Sequence, residues 1–212
     1  MPPRLDRRGF FITLEGGDGS GKSTHTVRLV RWLCAQGYAA QATREPGGTP
    51  LGERVRHSLL ETPALAPWAE CLLFQALRAQ HVVEVIAPAL ARGRVVVCDR
   101  YSDSTMAYQG YGLGLDRATI TGLTRLVTRG AVPDLTIILD APPAIGLRRA
   151  RIRRTMERRG LTFQRQVRRG FLAIARREPA RCRVIRVQPT SSSTQTLIRQ
   201  VVSDALARRR RS

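Results

Sequence analysis

Gly16 and Gly21-Lys22-Ser23 stand at G-x-x-x-x-G-K-S spacing, within the stretch Gly16-Gly17-Asp18-Gly19-Ser20-Gly21-Lys22-Ser23-Thr24. That spacing belongs to a loop that cradles the phosphates of a nucleotide. Glycines let consecutive backbone N–H groups converge on phosphate oxygens through conformations a Cβ would obstruct. A lysine ammonium is a compact charge on a thin stem, suited to the β- and γ-phosphates where a forked guanidinium would be bulky. Ser23 offers its hydroxyl to Mg²⁺. Lys22 is the only lysine in 212 residues, the other 35 of the 36 basic residues being arginine. Whatever replaced lysine elsewhere left this one in place.

Three other segments hold residues fit for binding or transfer. Thr43-Arg44-Glu45-Pro46-Gly47-Gly48-Thr49 reads as a rigid, exposed turn with Arg44 at its base. Arg44 is either a solvated arginine or a fork aimed at an acceptor phosphate. Asp99-Arg100-Tyr101 follows the apolar run Val95–Cys98. An aspartate ending a buried strand beside a phosphate loop supports Mg²⁺ or its water ligands, and Arg100 would bridge donor and acceptor phosphates. Phe74 and Arg78, four residues apart, share a helix face. An aromatic plane and a forked donor at that spacing suit a stacked base, although such pairs are common.

The elements that would position these residues follow from periodicity. Apolar runs at Phe10–Glu15, Ala39–Arg44, Arg94–Asp99, Leu135–Ala141 and Arg183–Gln188 predict five parallel strands. Helical patterns alternate with them, which predicts an α/β doubly wound sheet. Val27, Val30, Leu33 and Cys34 form an apolar stripe on a first helix over Thr24–Gln36. Leu51–Leu60 is a short helix. Pro67–Ala91 is a long one, with Trp68, Leu72, Ala76, Ala79, Val83, Ile86 and Leu90 along one stripe. Asp116 caps a helix to about Thr128, and Ser191–Thr194 precedes a last helix with Ile198, Val201, Val202 and Ala205 inward. With no repeat or linker, residues 1–212 read as one domain, flexible at 1–8 and 208–212.

Composition sets further bounds. A hydrophobic content of 42% with 25% charged residues is that of a globular protein with a substantial core. No apolar run has the length of a membrane span, and the N-terminus lacks a secretory pattern, so a cytoplasmic location without membrane association is expected. Cys34, Cys71, Cys98 and Cys182 are widely spaced among apolar residues, which predicts four buried thiols. His25, His57 and His81 share no ligand spacing. The net charge of +20 is spread over nearly every segment, and aromatics are only 5%. A solvated basic surface is therefore expected, not a specific nucleic-acid partner.

Taken together, these stretches resemble thymidylate kinase, the family that phosphorylates dTMP to dTDP with ATP. The matching segments also include Ala69–His81, Asp99–Gly110 and Pro133–Asp140, in the family's order. The resemblance implies a three-layer P-loop NTPase fold, ATP and dTMP as substrates, Mg²⁺ as cofactor, and a homodimer packed through Pro67–Ala91. By position, Gly16 to Thr24 would bind ATP, with Ser23 a direct Mg²⁺ ligand and Asp99 acting through water. Arg44 and Arg100 would hold the dTMP phosphate, Phe74 would stack on thymine and Arg78 would bond its exocyclic oxygen. Thr105 and Gln109 would line the base pocket, Tyr108 would crowd the 2′ position, and Asp18 would hold the 3′-hydroxyl. An arginine-rich lid spans about 143–162. There the family's Asp-Arg pair is replaced by Arg154-Thr155. In a helix, residues two apart differ by about 200°, so Arg149 and Arg153 share a face and Arg151 points away. Arg149 and Arg153 are thus the catalytic candidates of the lid, beside Lys22, Asp99 and Arg100.

Overall fold

Both faces of the central sheet are apolar, and the strands sort their side chains accordingly. In the computed structural model, which describes residues 9–62, 65–149 and 159–209 but not the side chains of His57, Leu60 and Arg149, five parallel strands are present. They are β1 (Phe10–Glu15), β2 (Ala40–Arg44), β3 (Val95–Asp99), β4 (Leu135–Asp140) and β5 (Cys182–Arg186), in the order β2-β3-β1-β4-β5. Each lies within two residues of the run predicted for it.

Phe10, Ile12 and Leu14 of β1 meet Val95, Val97, Ile137 and Leu139 on one face. That face is covered by α1 (Lys22–Ala35), through Leu29 and Leu33, and by α9 (Ser191–Arg209), through Ile198, Val202 and Leu206. Phe11, Val96 and Cys98 point to the other face, against Val82, Ile86 and Leu90. These last belong to one long helical run: α3 (Pro67–His81), a π-helical stretch (Val82–Ile86) and α4 (Ala87–Ala91). A third cluster joins Ile138 to Ala107 and Tyr108, and to Phe163, Val167 and Phe171 of α8 (Gly160–Arg177). Layers of helix on both sides of a parallel sheet are what continuous apolar strands require.

The remaining helices are α2 (Pro50–Glu61), α5 (Ser102–Thr105) running into a π-helical Met106–Gly112, α6 (Arg117–Thr128) and α7 (Pro143–Arg149). Asp116 caps α6 as expected, its Oδ2 accepting from the Thr119 N–H at 2.7 Å. Thr49 caps α2, accepting from the Gly52 N–H at 2.9 Å.

Three expectations are corrected. The stripe read on α1 is rotated: Val27 is 45% exposed and Cys34 is exposed, while Lys22, His25, Thr26, Leu29 and Leu33 face inward. His25 is buried because it bonds Gln195 of α9 at 2.6 Å, a polar tether that apolar counting does not register. The stripe expected along Pro67–Ala91 divides: Ile86 and Leu90 pack on the sheet as expected, but Trp68, Leu72 and Val83 are exposed, while Glu70, Gln75, Arg78 and His81 of α3 are buried. Ser191–Thr194 lie inside the first turn of α9, and Thr190 supplies the cap to the Ser193 N–H. Arg208 and Arg209 continue α9, with Arg209 reaching Asp134 at 3.5 Å. Among the described residues no helix is long and apolar enough to cross a membrane.

Candidate active site

The ends of β1, β2 and β3 open onto one cleft of about 690 Å³. Its walls include Asp18, Gly19, Gly21, Lys22, Ser23 and Thr24 from the glycine loop, Arg44 after β2, and Asp99 and Arg100 after β3. Phe74 and Arg78 of α3 face it, with Thr105, Tyr108 and Gln109 from the helical segment after β3. The cleft lies at the ends of the adjacent strands β1 and β3, whose connections run in opposite directions, to β2 and to β4, the usual ligand crevice of such folds. Gly16, Gly17 and Ser20 shape the loop behind it.

The loop holds its shape through backbone that only glycine tolerates. Gly16 has φ +135°, and a Cβ there would lie 2.5 Å from the Leu139 carbonyl oxygen. Gly19 has φ +70° and would place a Cβ 2.1 Å from the Gly146 oxygen of α7. Gly21, left-handed at φ 91°, starts α1 with no side-chain cap, so the helix N-terminus faces the cleft with its N–H groups open to an anion. Lys22 is 6% exposed and its Nζ donates to the Gly16 and Gly17 carbonyls at 3.1 and 2.8 Å. Burial and the nearby Arg100 lower its pKa to about 8.

Arg100 is the hub between the loop and the opposite wall. Its Nη2 donates to Asp18 Oδ1 at 2.5 Å and to the Tyr108 hydroxyl at 3.1 Å, and its Nη1 to the Gly16 carbonyl at 3.2 Å and Ser104 Oγ at 3.1 Å. Its backbone is left-handed at φ 68°, uncommon for a side chain of this size. Although burial opposes its charge, Tyr108 and Asp18 hold the guanidinium pKa above its ordinary value. Burial would raise Asp18, but Arg100 and Lys22 outweigh it and keep the carboxyl below its usual range. Burial pushes the Tyr108 phenol well up, so it stays neutral. Ser23 Oγ donates a short hydrogen bond to Asp99 Oδ2. A hydroxyl and a carboxylate gathered at the end of a phosphate loop are the hard oxygen donors that Mg²⁺ prefers.

Across the cleft, Glu45 organises the second wall. The turn after β2 is not exposed as expected: Glu45 is 6% exposed because its carboxylate accepts from Arg78 Nε at 2.8 Å and pairs with His81 Nδ1 at 3.0 Å. Arg78, 1% exposed, also donates to Gln75, the Tyr101 carbonyl and Thr105. Arg44 is held in a fork by Glu53, at 3.2 and 2.7 Å. Both partners are about half exposed, so the pair sets direction more than stability.

Arg153 lies outside the described residues, as does the side chain of Arg149, which ends α7. Sequence reasoning did not single out Glu15, Glu45, Glu53, Glu70, Ser104 or Gln164. The signals were faint: Glu15 directly precedes the loop, and Glu70 is four residues before Phe74. Gln164 of α8 reaches Asp18 at 2.9 Å from 146 residues away, which spacing could not foretell.

Glu15 has a measurable consequence. Fully buried, it accepts from the Tyr101 N–H at 2.7 Å and from Ser104 Oγ at 2.6 Å. Burial and the nearby Asp103 raise its pKa to about 8. A carboxyl raised in the folded state contributes stability that is complete below its unfolded pKa and is lost as pH climbs through about 8. Glu15→Gln should therefore lose less melting temperature than the parent between pH 5 and pH 9, by a few degrees. Equal losses across that interval in a thermal-melt series would show that Glu15 does not titrate there.

The family model described as thymidylate kinase matches residues 14–198. The chain is 51% identical over 189 residues to a thymidylate kinase of Synechococcus sp. (strain JA-2-3B'a(2-13)), covering 89% of this chain and 91% of that one. It is 50% identical over 182 residues to that of Deinococcus radiodurans, covering 84% and 88%. The crystal structure of thymidylate kinase from Ehrlichia chaffeensis superposes with a TM-score of 0.79 at 36% identity, covering 92% of this chain and 98% of that chain.

Proposed function

The chain belongs to the thymidylate kinase family, so its reaction is phosphoryl transfer from ATP to dTMP giving dTDP, and we propose how its residues divide that work. Gly16–Thr24 bind the donor phosphates, and Lys22 neutralises charge on them. Arg44 and Arg100 bind the acceptor phosphate, Phe74 stacks on thymine, and Arg78, Thr105 and Gln109 surround the base. Tyr108 sits against the sugar's 2′ position and Asp18 meets its 3′-hydroxyl. Arg149 and Arg153 meet the transferring phosphoryl group. Ser23 and Asp99 would hold Mg²⁺, the serine directly and the aspartate through water. The ion would add charge neutralisation between the donor phosphates.

The observation that carries this reading is the position of Arg100. It touches the glycine loop at Gly16 and Asp18 and the opposite wall at Tyr108 and Ser104, so one guanidinium spans the line of transfer. Transfer between anionic oxygens needs alignment and neutralisation and no general base. A coupled assay of ATP with dTMP, UMP, dCMP and AMP tests it. dTMP should be the preferred acceptor by at least about tenfold in kcat/KM. Faster turnover of AMP or UMP would overturn the substrate assignment.

We also assign the outward apolar face to a second copy of the chain, and the protein to the cytoplasm. Trp68, Leu72, Leu73 and Val83 are 37–51% exposed along one helical run, and Leu126 of the neighbouring α6 is 68% exposed. Exposed apolar side chains gathered on neighbouring helices favour association.

A further inference from the structure

Glu70 is a carboxylate buried on α3, 2% exposed, and its partners among the described residues are Gln109 and Arg159. Its Oε1 accepts from Gln109 Nε2 at 2.8 Å. Arg159, at the start of α8, holds both oxygens, at 3.2 Å to Oε1 and 2.6 Å to Oε2. A carboxylate gripped by a guanidinium accepts and cannot donate. The Gln109 amide nitrogen therefore points at Glu70 with one of its two N–H groups, which sets the amide oxygen on the other side as the acceptor Gln109 can offer the cleft it lines.

Arg78 presents the opposite character. Four of its N–H groups go to Glu45, Gln75, Tyr101 and Thr105, leaving one at Nη1. Arg78 and Gln109 thus bring a donor and an acceptor to the base pocket, each fixed by a partner behind it. Thymine and uracil carry a ring N–H beside a carbonyl oxygen. Cytosine carries a bare ring nitrogen beside an amino group, so both contacts would be mismatched.

We propose that Glu70 is a positioning residue for base specificity: by fixing the Gln109 amide, it makes the pocket accept an imide edge and reject the cytosine edge. This rests on the cleft being the dTMP site. An amide at position 70 both donates and accepts, so it would leave Gln109 free to turn over and serve either base.

The test compares kcat/KM for dTMP and dCMP in the parent, Glu70→Gln, Gln109→Met and the double variant. Glu70→Gln should lower the dTMP/dCMP ratio at least about tenfold, since a buried polar mismatch is what enforces such discrimination. In the Gln109→Met background the same change should move the ratio less than about twofold, because the residue it acts through is gone. A purely structural role would slow both substrates alike and leave the ratio unchanged, which overturns the proposal. An equal fall of the ratio in both backgrounds overturns it too. A parent enzyme that did not discriminate dTMP from dCMP would instead sink the assignment of the cleft. If Glu70→Gln does not fold, NMR on the parent still decides. The Gln109 side-chain N–H signals, identified by their loss in Gln109→Met, should exchange slowly and stay near their free positions when dTMP is added. Signals that move to a new bonding environment on dTMP binding would show the amide nitrogen reading the base.

Discussion

Lys22→Ala is expected to lower kcat by on the order of 10³-fold while dTMP affinity stays within a fewfold of the parent. The side chain is enclosed by the loop it serves: its ammonium bonds the Gly16 and Gly17 carbonyls and Ser20 Oγ, all on the donor side of the cleft. None of these contacts reaches Phe74 or Arg78. Charge that develops on the donor phosphates would lose its nearest fixed cation, and a water replacing it would have to reorganise during transfer. Lys22→Arg should rescue little, because a planar fork does not fit a space formed around a single nitrogen. Phe74→Ala provides the mirror result. It removes a stacking face worth about 1–3 kcal/mol, raising KM for dTMP roughly 10- to 100-fold with a smaller change in kcat. Steady-state kinetics together with dTMP titration on both variants check the division. If Lys22→Ala weakened dTMP binding as much as it slowed turnover, donor and acceptor roles would not be separable as described.

Arg100→Ala should be the costlier substitution, because it fails on two counts. Catalytically it removes a guanidinium that contacts both walls of the cleft, and kcat/KM should fall by 10³-fold or more, as on the order expected for an arginine that meets phosphoryl charge. Structurally it takes from Asp18 its ion-pair partner, leaving only the field of Lys22. With the pair only 19% and 13% exposed, stranding that carboxylate should cost about 3 kcal/mol. Backbone strain separates the two effects. Position 100 is held at φ 68°, where a Cβ costs roughly 1–2 kcal/mol that glycine does not incur. Arg100→Gly should therefore be more stable than Arg100→Ala in urea unfolding, yet equally inactive. An alanine variant retaining a tenth of the parent's kcat/KM would remove Arg100 from the line of transfer.

Elements of different kinds leave traces of different strength in the sequence. Strands buried on both faces leave unbroken apolar runs, so β1, β3 and β4 were visible to within a residue or two. The glycine loop was visible for a different reason, since its spacing is dictated by the phosphates. Helices beside the cleft misled. On α3 the face turned inward holds Glu70, Gln75, Arg78 and His81, because Arg78 lines the cleft and the others bond polar partners packed around it. The apolar stripe that normally marks the core points outward there. On α1 the same inversion buries His25 and Thr26 and exposes Val27. The supporting carboxylates were hidden for a related reason: Glu15, Glu45 and Glu70 act on partners 30 or more residues away, and no local pattern marks such a pairing.

The solitary lysine has a consequence for covalent chemistry. Amine-directed acylating or reductive-alkylating reagents find one side-chain target in this protein, and it lies in the phosphate loop. With its pKa near 8, Lys22 is about half neutral, and so nucleophilic, at the mildly alkaline pH where such reagents are used, whereas an ordinary lysine is almost wholly protonated. Its 6% exposure limits access to reagents that enter the cleft, so a phosphate-bearing aldehyde would be drawn where a neutral one is not. Labelling at Lys22, told apart from the α-amino terminus by peptide mapping, would then count vacant nucleotide sites, a readout that a lysine-rich protein of the same fold does not permit.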